Sequence, residues 1–241
     1  MQIWMFTILI LSSFVAALIS GAAGFGGALL LLPVATACVG AEVAVPVLTL
    51  AQLIGNISRM GTGLKQIKWN AVGWFCLTAL PLSALGAFGF SVLPKDMVTR
   101  SIGAALIILV IFKFKKIFEL KGNKRTLLIG GVITGGLSGL AGSGGPIGAA
   151  VFLSLGLPPV AYIASEATTA IAMHILKTII YSKLASMNLQ ALLVGLIMGA
   201  AMIAGTMVAN KFIKNMEKDK FQKYVAILLC IVGAYMLFFG A

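Results

Sequence analysis

The chain has 241 residues, of which 60% are hydrophobic and only 10% are charged, and its mean hydropathy is +1.08. Soluble domains carry about 25% charged residues, so this chain has too few polar side chains to cover a surface in water. The formal net charge of +12 does not indicate nucleic-acid binding, because the basic residues gather in short segments between apolar runs. Composition therefore predicts one all-α polytopic domain, residues 1–241, that spans a bilayer several times.

Eight apolar segments follow one another, and six of them have the length of one crossing helix, about 20 residues. With boundaries loose by a few residues, these six are 43–60, 70–92, 97–114, 160–182, 187–210 and 221–240. The other two, 2–38 and 127–155, are longer and contain glycine clusters. Glycine costs about 1 kcal/mol per residue in a helix and proline about 3, so we expect both segments to be broken. A broken backbone at membrane depth has to be covered by protein or by a water-filled cavity.

No basic stretch precedes the first apolar segment, which continues directly into the first glycine cluster. We therefore expect residues 1–25 to be a membrane segment and not a cleaved signal peptide.

The two glycine clusters are near copies, 118 positions apart: residues 21–27 read GAAGFGG and residues 139–145 read GLAGSGG. At the same offset the paired polar residues are Asn56 with His174, Arg59 with Lys177, Lys65 with Lys183 and Asn70 with Asn188. Internal duplication is common in membrane transporters. We expect repeat 1 at about 2–114, a basic cytoplasmic loop at about 113–126 and repeat 2 at about 127–241.

Two topologies fit this duplication. If each glycine-containing segment crosses once, each repeat has four crossings and the repeats are parallel. If each is a re-entrant hairpin, each repeat has three crossings plus the hairpin, and the repeats are inverted. Inversion puts the basic loops 59–70, 113–125 and 211–223 on the cytoplasmic side, as the bias of lysine and arginine prefers. We expect inverted halves, although segment 2–38 is long enough to hold an extra crossing.

Each glycine cluster is expected to expose the start of a half-helix inside the membrane. Such a start presents unpaired backbone N–H groups and the positive end of the helix dipole, and glycine lets an anion approach closely. The predicted substrate-binding residues of the clusters are Gly24, Phe25, Gly26, Gly27, Gly142, Ser143, Gly144 and Gly145. In this hypothesis the serine adds a hydroxyl and the phenylalanine an apolar wall. The alternative, that the glycines only permit close helix packing, accounts less well for a repeated G-x-x-G-x-G-G.

Polar residues of the neighbouring segments complete the predicted site. Gln52, Asn56 and Arg59 are four and three positions apart and therefore share one helix face. The further substrate-binding candidates, in the equivalent segment of the second repeat, are Thr168, Thr169 and His174.

Three ionisable residues, Glu166, Arg59 and Lys177, are candidates for gating or coupling, because such groups at membrane depth usually line a pathway. Simpler interpretations stay open for each of them. Arg59 and Lys177 lie near helix ends and can snorkel to the interface. Glu166 can cap the first turn of its helix, and His174, the single histidine, can be an ordinary interior residue.

Several strings resemble the TauE/SafE family, the sulfite-exporter or toluenesulfonate-uptake permeases. The matching strings are GFGGALLLLP at 24–33, GNISR at 55–59, IKW at 67–69, GLSGLAGSGGP at 136–146 and ASEATTA at 164–170. The resemblance covers nearly the whole chain, and it implies transport of sulfite, sulfonates or related organosulfur acids across the bacterial inner membrane. One departure is Pro146, where the family pattern leads us to expect a glycine or another small residue.

Other functional classes fit less well. Intramembrane catalysis needs paired carboxylates, a nucleophile with its base or a metal cluster, whereas the chain has six acidic residues and one histidine. We therefore expect a secondary transporter that works by alternating access, with no enzymatic activity, cofactor or metal. Its expected partners are a small anion, the lipid bilayer and a coupling ion, proton or sodium, with a homodimer left open. A passive anion channel and a non-transporting assembly subunit are the alternatives.

Overall fold

The computed structural model describes residues 3–25, 27–39, 41–89, 122–141, 144–184 and 189–213, together with isolated positions between 216 and 238. Within these residues the fold is all helical and contains no strand. The helices of the six ranges are α1 (Ile3–Ala23), α2 (Gly27–Val39), α3 (Ala41–Gly61), α4 (Trp69–Gly89), α5 (Lys124–Ala141), α6 (Gly145–Ser154), α7 (Pro159–Leu184) and α8 (Leu189–Ile213), and a 3-10 turn at Leu64–Gln66 follows α3. The expected segment 97–114 and most of 221–240 lie outside the described residues.

Five of these helices are long and apolar enough to cross a bilayer. Their apolar stretches are Trp4–Ala23, Val43–Gly61, Trp69–Phe88, Pro159–Tyr181 and Leu189–Ile213. Helices α2 and α6, with 13 and 10 residues, are too short to span one. The expected segment 2–38 therefore holds one full-length helix followed by a short one. Large apolar side chains such as Leu11, Leu85 and Phe212 are exposed on the outside, as lipid contact requires. The chain is a multi-pass membrane protein.

Helices α3 and α7 pack together and run in opposite directions. Near the end of α3, Arg59 lies beside Glu166, which is in the first half of α7. Near the start of α3, Val45 shares an apolar cluster with Ile180 and Tyr181, close to the end of α7. This crossing is therefore one of the places where the two halves of the chain meet, together with the contacts of α1 with α8 and of α4 with α5.

Each pair α1–α2 and α5–α6 is folded back on itself. In the second pair, a Cβ on Gly130 would contact Val151, and a Cβ on Gly144 would lie 3.1 Å from Ser138 Cβ. Residues of the α6 side therefore pack against α5 both next to the connection and further along the two helices. In the first pair, a Cβ on Gly27 would lie 3.1 Å from Ser20 Oγ. The rest of α2 packs beside earlier residues of α1. The tips of these pairs are formed by the ends of α1 and α5, the starts of α2 and α6, and the described residues Gly24, Phe25 and Gly144 between them.

Glycines bring two helix pairs into backbone contact. A Cβ on Gly205 of α8 would fall on the carbonyl oxygen of Phe14 in α1. In the same way, a Cβ on Gly135 or Gly139 of α5 would fall on the backbone of Ala79 or Ser83 in α4. No side chain larger than hydrogen fits at these three positions without displacing a neighbouring helix.

Candidate functional site

A small buried cavity lies where the two tips and the middle of α3 and α7 come together. Phe25 of the first tip and Gly145 of the second both line it, and a Cβ on Gly145 would lie 3.9 Å from Phe25 Cβ. The cavity volume is about 40 Å³, which is room for a few water molecules. A cavity with polar walls inside an apolar helix bundle is a natural place for a small polar solute.

One wall is the polar face of α3, formed by Gln52, Asn56 and Arg59, which are all buried. The Asn56 amide nitrogen donates a hydrogen bond to the Gln52 carbonyl oxygen at 2.7 Å. The Asn56 side-chain oxygen in turn accepts a hydrogen bond from Arg59 Nη2. Arg59 Nη1 donates to the carbonyl oxygen of Ser20 at 3.1 Å. Arg59 is thus held inside the bundle by α1 and its own helix, and it does not snorkel to the interface.

Glu166 faces this wall from α7. Its Oε2 lies 3.8 Å from Arg59 Nη2, an ion-pair distance that is too long for a hydrogen bond. The same oxygen is buried and has no hydrogen-bond partner in the described part of the chain. The interpretation of Glu166 as a cap of the first helical turn is wrong, because α7 begins at Pro159 and Glu166 lies two turns further in. Glu166 is therefore a buried carboxylate with free acceptor capacity at the cavity.

His174 lines the cavity from the same helix, two turns after Glu166. Its Nδ1 is buried and has no hydrogen-bond partner among the described residues. A buried polar atom without a partner costs stability. His174 is therefore not the fully hydrogen-bonded interior residue of the simpler interpretation, and a bound solute is one way to provide the missing contact.

Lys177 lies directly behind the cavity wall and is fully buried. Its Nζ donates to Ser138 Oγ at 2.9 Å and to the Ser138 carbonyl oxygen at 3.3 Å, and Ser138 itself lines the cavity. No carboxylate pairs with Lys177 in the residues that the structure describes. Like Arg59, it is a buried cation and does not reach the interface.

Arg59 and Lys177 make equivalent contacts with the helix pairs α1–α2 and α5–α6. Arg59 binds Ser20 in the last turn of α1, and Lys177 binds Ser138 in the last turn of α5. Positive groups are stabilised at helix C-termini, where carbonyl groups lack intrahelical partners. These contacts hold the cations in place and fix the ends of α1 and α5 beside the cavity.

The first tip turns at Gly24, which has φ +85, a left-handed conformation that glycine adopts readily. A Cβ at Gly24 would also lie 2.5 Å from the ring of Tyr162 in α7. Gly24 is therefore required for the turn and is not among the residues that line the cavity. Gly27 and Ala28, at the start of α2, do line it, and the first backbone N–H groups of a helix have no intrahelical acceptor.

The second tip presents Gly144, Gly145 and Pro146 to the cavity. Gly144 precedes the helix and accepts hydrogen bonds from the backbone nitrogens of Ile147 and Gly148. Pro146 is accommodated in the first turn, where its missing N–H breaks no helical bond, but it leaves this tip with one donor fewer than α2 has.

The structure does not bring every predicted residue to the cavity. Thr168 and Thr169 donate to the helix carbonyls of Ala164 and Glu166 and do not line it. Gly26, Gly142 and Ser143 lie outside the described residues. Ser20 and Ser138 were missed by the sequence analysis, although they are also 118 positions apart.

A second, smaller cavity lies on the other side of Arg59. Its volume is about 10 Å³, and it is lined by α1, α3, α7 and α8, with Thr62, Thr206 and Asn210 among its polar residues. Arg59 lines both cavities. Arg59 is therefore a residue that the two cavities share.

The described residues define a multi-pass membrane protein with a small cavity in its helix bundle that is lined in part by buried polar and charged side chains. They contain no cluster of three or more His, Cys, Asp or Glu residues that could hold a metal ion. The family model for the sulfite exporter TauE/SafE matches residues 9–236. The chain therefore belongs to the TauE/SafE family, a family of membrane transporters. No curated protein and no solved structure shows significant similarity to it.

Proposed function

We propose that this protein is a secondary transporter of a small anion, which binds in the central cavity between the two hairpin tips. The observation that carries this proposal is the charge of the buried side chains. Arg59 and Lys177 are buried at or beside the cavity, and the carboxylate of Glu166 compensates for only one of them. An unpaired charge in the interior is costly, and a bound anion would supply the missing counter-ion.

The two halves are proposed to form an inverted repeat. The opposite directions of α3 and α7 support this arrangement, and so do the matching contacts of Arg59 with Ser20 and of Lys177 with Ser138, each pair related by the same offset. Inverted repeats commonly place the substrate site at the bilayer midplane, where discontinuous helices meet. In this proposal the repeats are about 2–114 and 127–241 within a single transport domain.

Alternating access is the proposed mechanism. Because Arg59 lines both the central cavity and the smaller one towards the end of α8, we expect movement of its side chain to connect the two. The family points to sulfite, a sulfonate or a related organosulfur acid as the solute, and to the inner membrane as the location. The small cavity volume favours the smaller members of that group.

Uptake into proteoliposomes tests this function. Purified protein should take up sulfite or methanesulfonate with saturation, and an imposed ion gradient should change the amount accumulated if transport is coupled. Currents that follow voltage alone, without saturation, would support a passive channel. A protein that binds none of these anions and moves none of them would contradict the proposal and favour an assembly role.

A further inference from the structure

We propose that the central site selects its solute by charge, accepting monoanions over dianions, and that Glu166 sets this preference. The inference rests on the proposed function, namely that the central cavity binds an anion. It adds that the site distinguishes anions by their charge, because of the position of the Glu166 carboxylate.

The charges at the site can be counted among the described residues. With the formal charges of their side chains, Arg59 and Lys177 contribute two positive charges, and Glu166 contributes one negative charge. The other lining side chains, among them Gln52, Asn56 and a neutral His174, carry none. The side chains therefore present about one positive charge to the solute, which one monoanion neutralises.

Helix ends change this count little. At each tip the positive start of one helix lies beside the negative end of another: α2 begins where α1 ends, and α6 begins where α5 ends. A helix carries about half a unit charge at each end, of opposite sign, so the two contributions at a tip largely cancel. The charged side chains then decide the valence of the solute.

Glu166 is placed to act on the solute directly. Its Oε2 is buried, lacks a hydrogen-bond partner in the described part of the chain and belongs to a side chain that lines the cavity. The nearest cation, Arg59, is 3.8 Å away. A solute in so small a cavity lies close to this carboxylate, with little water between them to screen the repulsion.

The balance of two energies then favours a monoanion. The cost of removing an ion from water grows with the square of its charge, whereas its attraction to a fixed site grows only in proportion to the charge. A site with about one net positive charge compensates a monoanion, and it leaves the second charge of a dianion opposed by Glu166.

Methanesulfonate and sulfate are a matched pair of probes. Both are tetrahedral, they differ by a methyl group in place of one oxygen, and at pH 7.5 one carries a single charge and the other two. Binding of each to the purified full-length protein in lipid nanodiscs is measured by titration calorimetry. We expect the native protein to bind methanesulfonate at least tenfold more tightly than sulfate.

Glu166→Gln removes one negative charge with little change in shape. Because a dianion gains twice as much as a monoanion from this loss, the methanesulfonate-to-sulfate affinity ratio should fall by a factor on the order of ten. Glu217→Gln is the matched control: it removes the same charge from an exposed residue paired with Lys220, and the ratio should not change. Glu166→Asp keeps the charge and should keep the preference for methanesulfonate.

The outcomes separate this inference from the proposed function. If the native protein binds sulfate as tightly as methanesulfonate, or if Glu166→Gln leaves the ratio unchanged, selection by charge is wrong while anion binding stands. If neither anion nor sulfite binds the native protein, the proposed function itself fails. The native ratio needs no variant, so a poorly folding Glu166→Gln protein would not prevent a decision.

Discussion

Lys177 reaches from α7 to Ser138 in the last turn of α5, with 2.9 Å between its Nζ and the serine Oγ, and its side chain is completely buried. This contact joins α7, which crosses α3, to the helix pair α5–α6. A fully buried lysine without a carboxylate partner in the described residues is rare in folded proteins. Its contribution to function and its contribution to stability can be separated experimentally.

Lys177→Met removes this charge and keeps most of the side-chain volume. We expect anion affinity to fall by a factor of ten or more, because the site then has no net positive side-chain charge. Stability should change little or rise, since replacing a buried charge by a well-packed apolar side chain is often neutral or stabilising. Calorimetric binding and the thermal midpoint in nanodiscs measure the two effects. The exposed Lys220, changed to Met, is the control, and equal affinity of both variants would contradict a role for Lys177.

Gly145→Ala tests whether the solute lies between the tips. The added methyl group would meet only Phe25, at 3.9 Å, so the helices need not move and the group would project towards the cavity. We expect weaker binding with an unchanged thermal midpoint. Gly73→Ala is the control because nothing lies within 4 Å of its added Cβ. Substitutions at Gly144 are less informative, since a Cβ there would fall on the carbonyl oxygen of Thr134 and disturb the packing of α5 against α6.

Arg59→Lys tests whether the geometry of the guanidinium group matters. The guanidinium bonds Ser20 with one nitrogen and Asn56 with the other, whereas a lysine has the same charge but a single nitrogen. We expect the change to weaken anion binding by about 1.5–3 kcal/mol, the usual contribution of one hydrogen bond to a charged group, because a single nitrogen cannot keep both protein contacts and also donate to the anion. Arg59→Gln should be worse than Arg59→Lys. If both variants bind equally well, the charge of Arg59 is not used.

The side of the membrane at which the chain after α8 emerges tests the inverted arrangement. Glu217 is exposed and can be replaced by cysteine after Cys38, Cys76 and Cys230 have been changed to alanine. A membrane-impermeant thiol reagent should label position 217 only from the cytoplasmic side, together with a cysteine introduced at the exposed Lys65 in the turn after α3. Labelling of the two positions from opposite sides would support parallel halves.

Local sequence signals predicted a large part of this structure. The spacing of Gln52, Asn56 and Arg59 predicted a shared face because it depends only on the helical repeat, and the structure places them there. The apolar lengths predicted α3, α4, α7 and α8 to within a few residues. The interruption after Ala23 was expected from the glycines, because their low helix propensity does not depend on tertiary contacts.

Contacts between distant segments could not be read in the same way. The approach of Glu166 to Arg59 and the burial of Lys177 depend on how α3 crosses α7, and no local periodicity encodes a crossing. The serines that bind the two cations did leave a signal. Ser20 and Ser138 occupy equivalent positions of the duplication, one residue before each glycine string, so extending the comparison by one position would have included them.

The glycines that press α1 onto α8 and α4 onto α5 also determine which parts of the molecule can shift. Backbones in direct contact have no flexible side chains between them that could adjust. Each of these helix pairs should therefore move as one rigid block. At the crossing of α3 and α7 the contacts are made by long side chains such as Arg59 and Glu166, which can swing and exchange partners. Any rocking of one block against the other would therefore hinge on the crossing of α3 and α7, which also lines the central cavity.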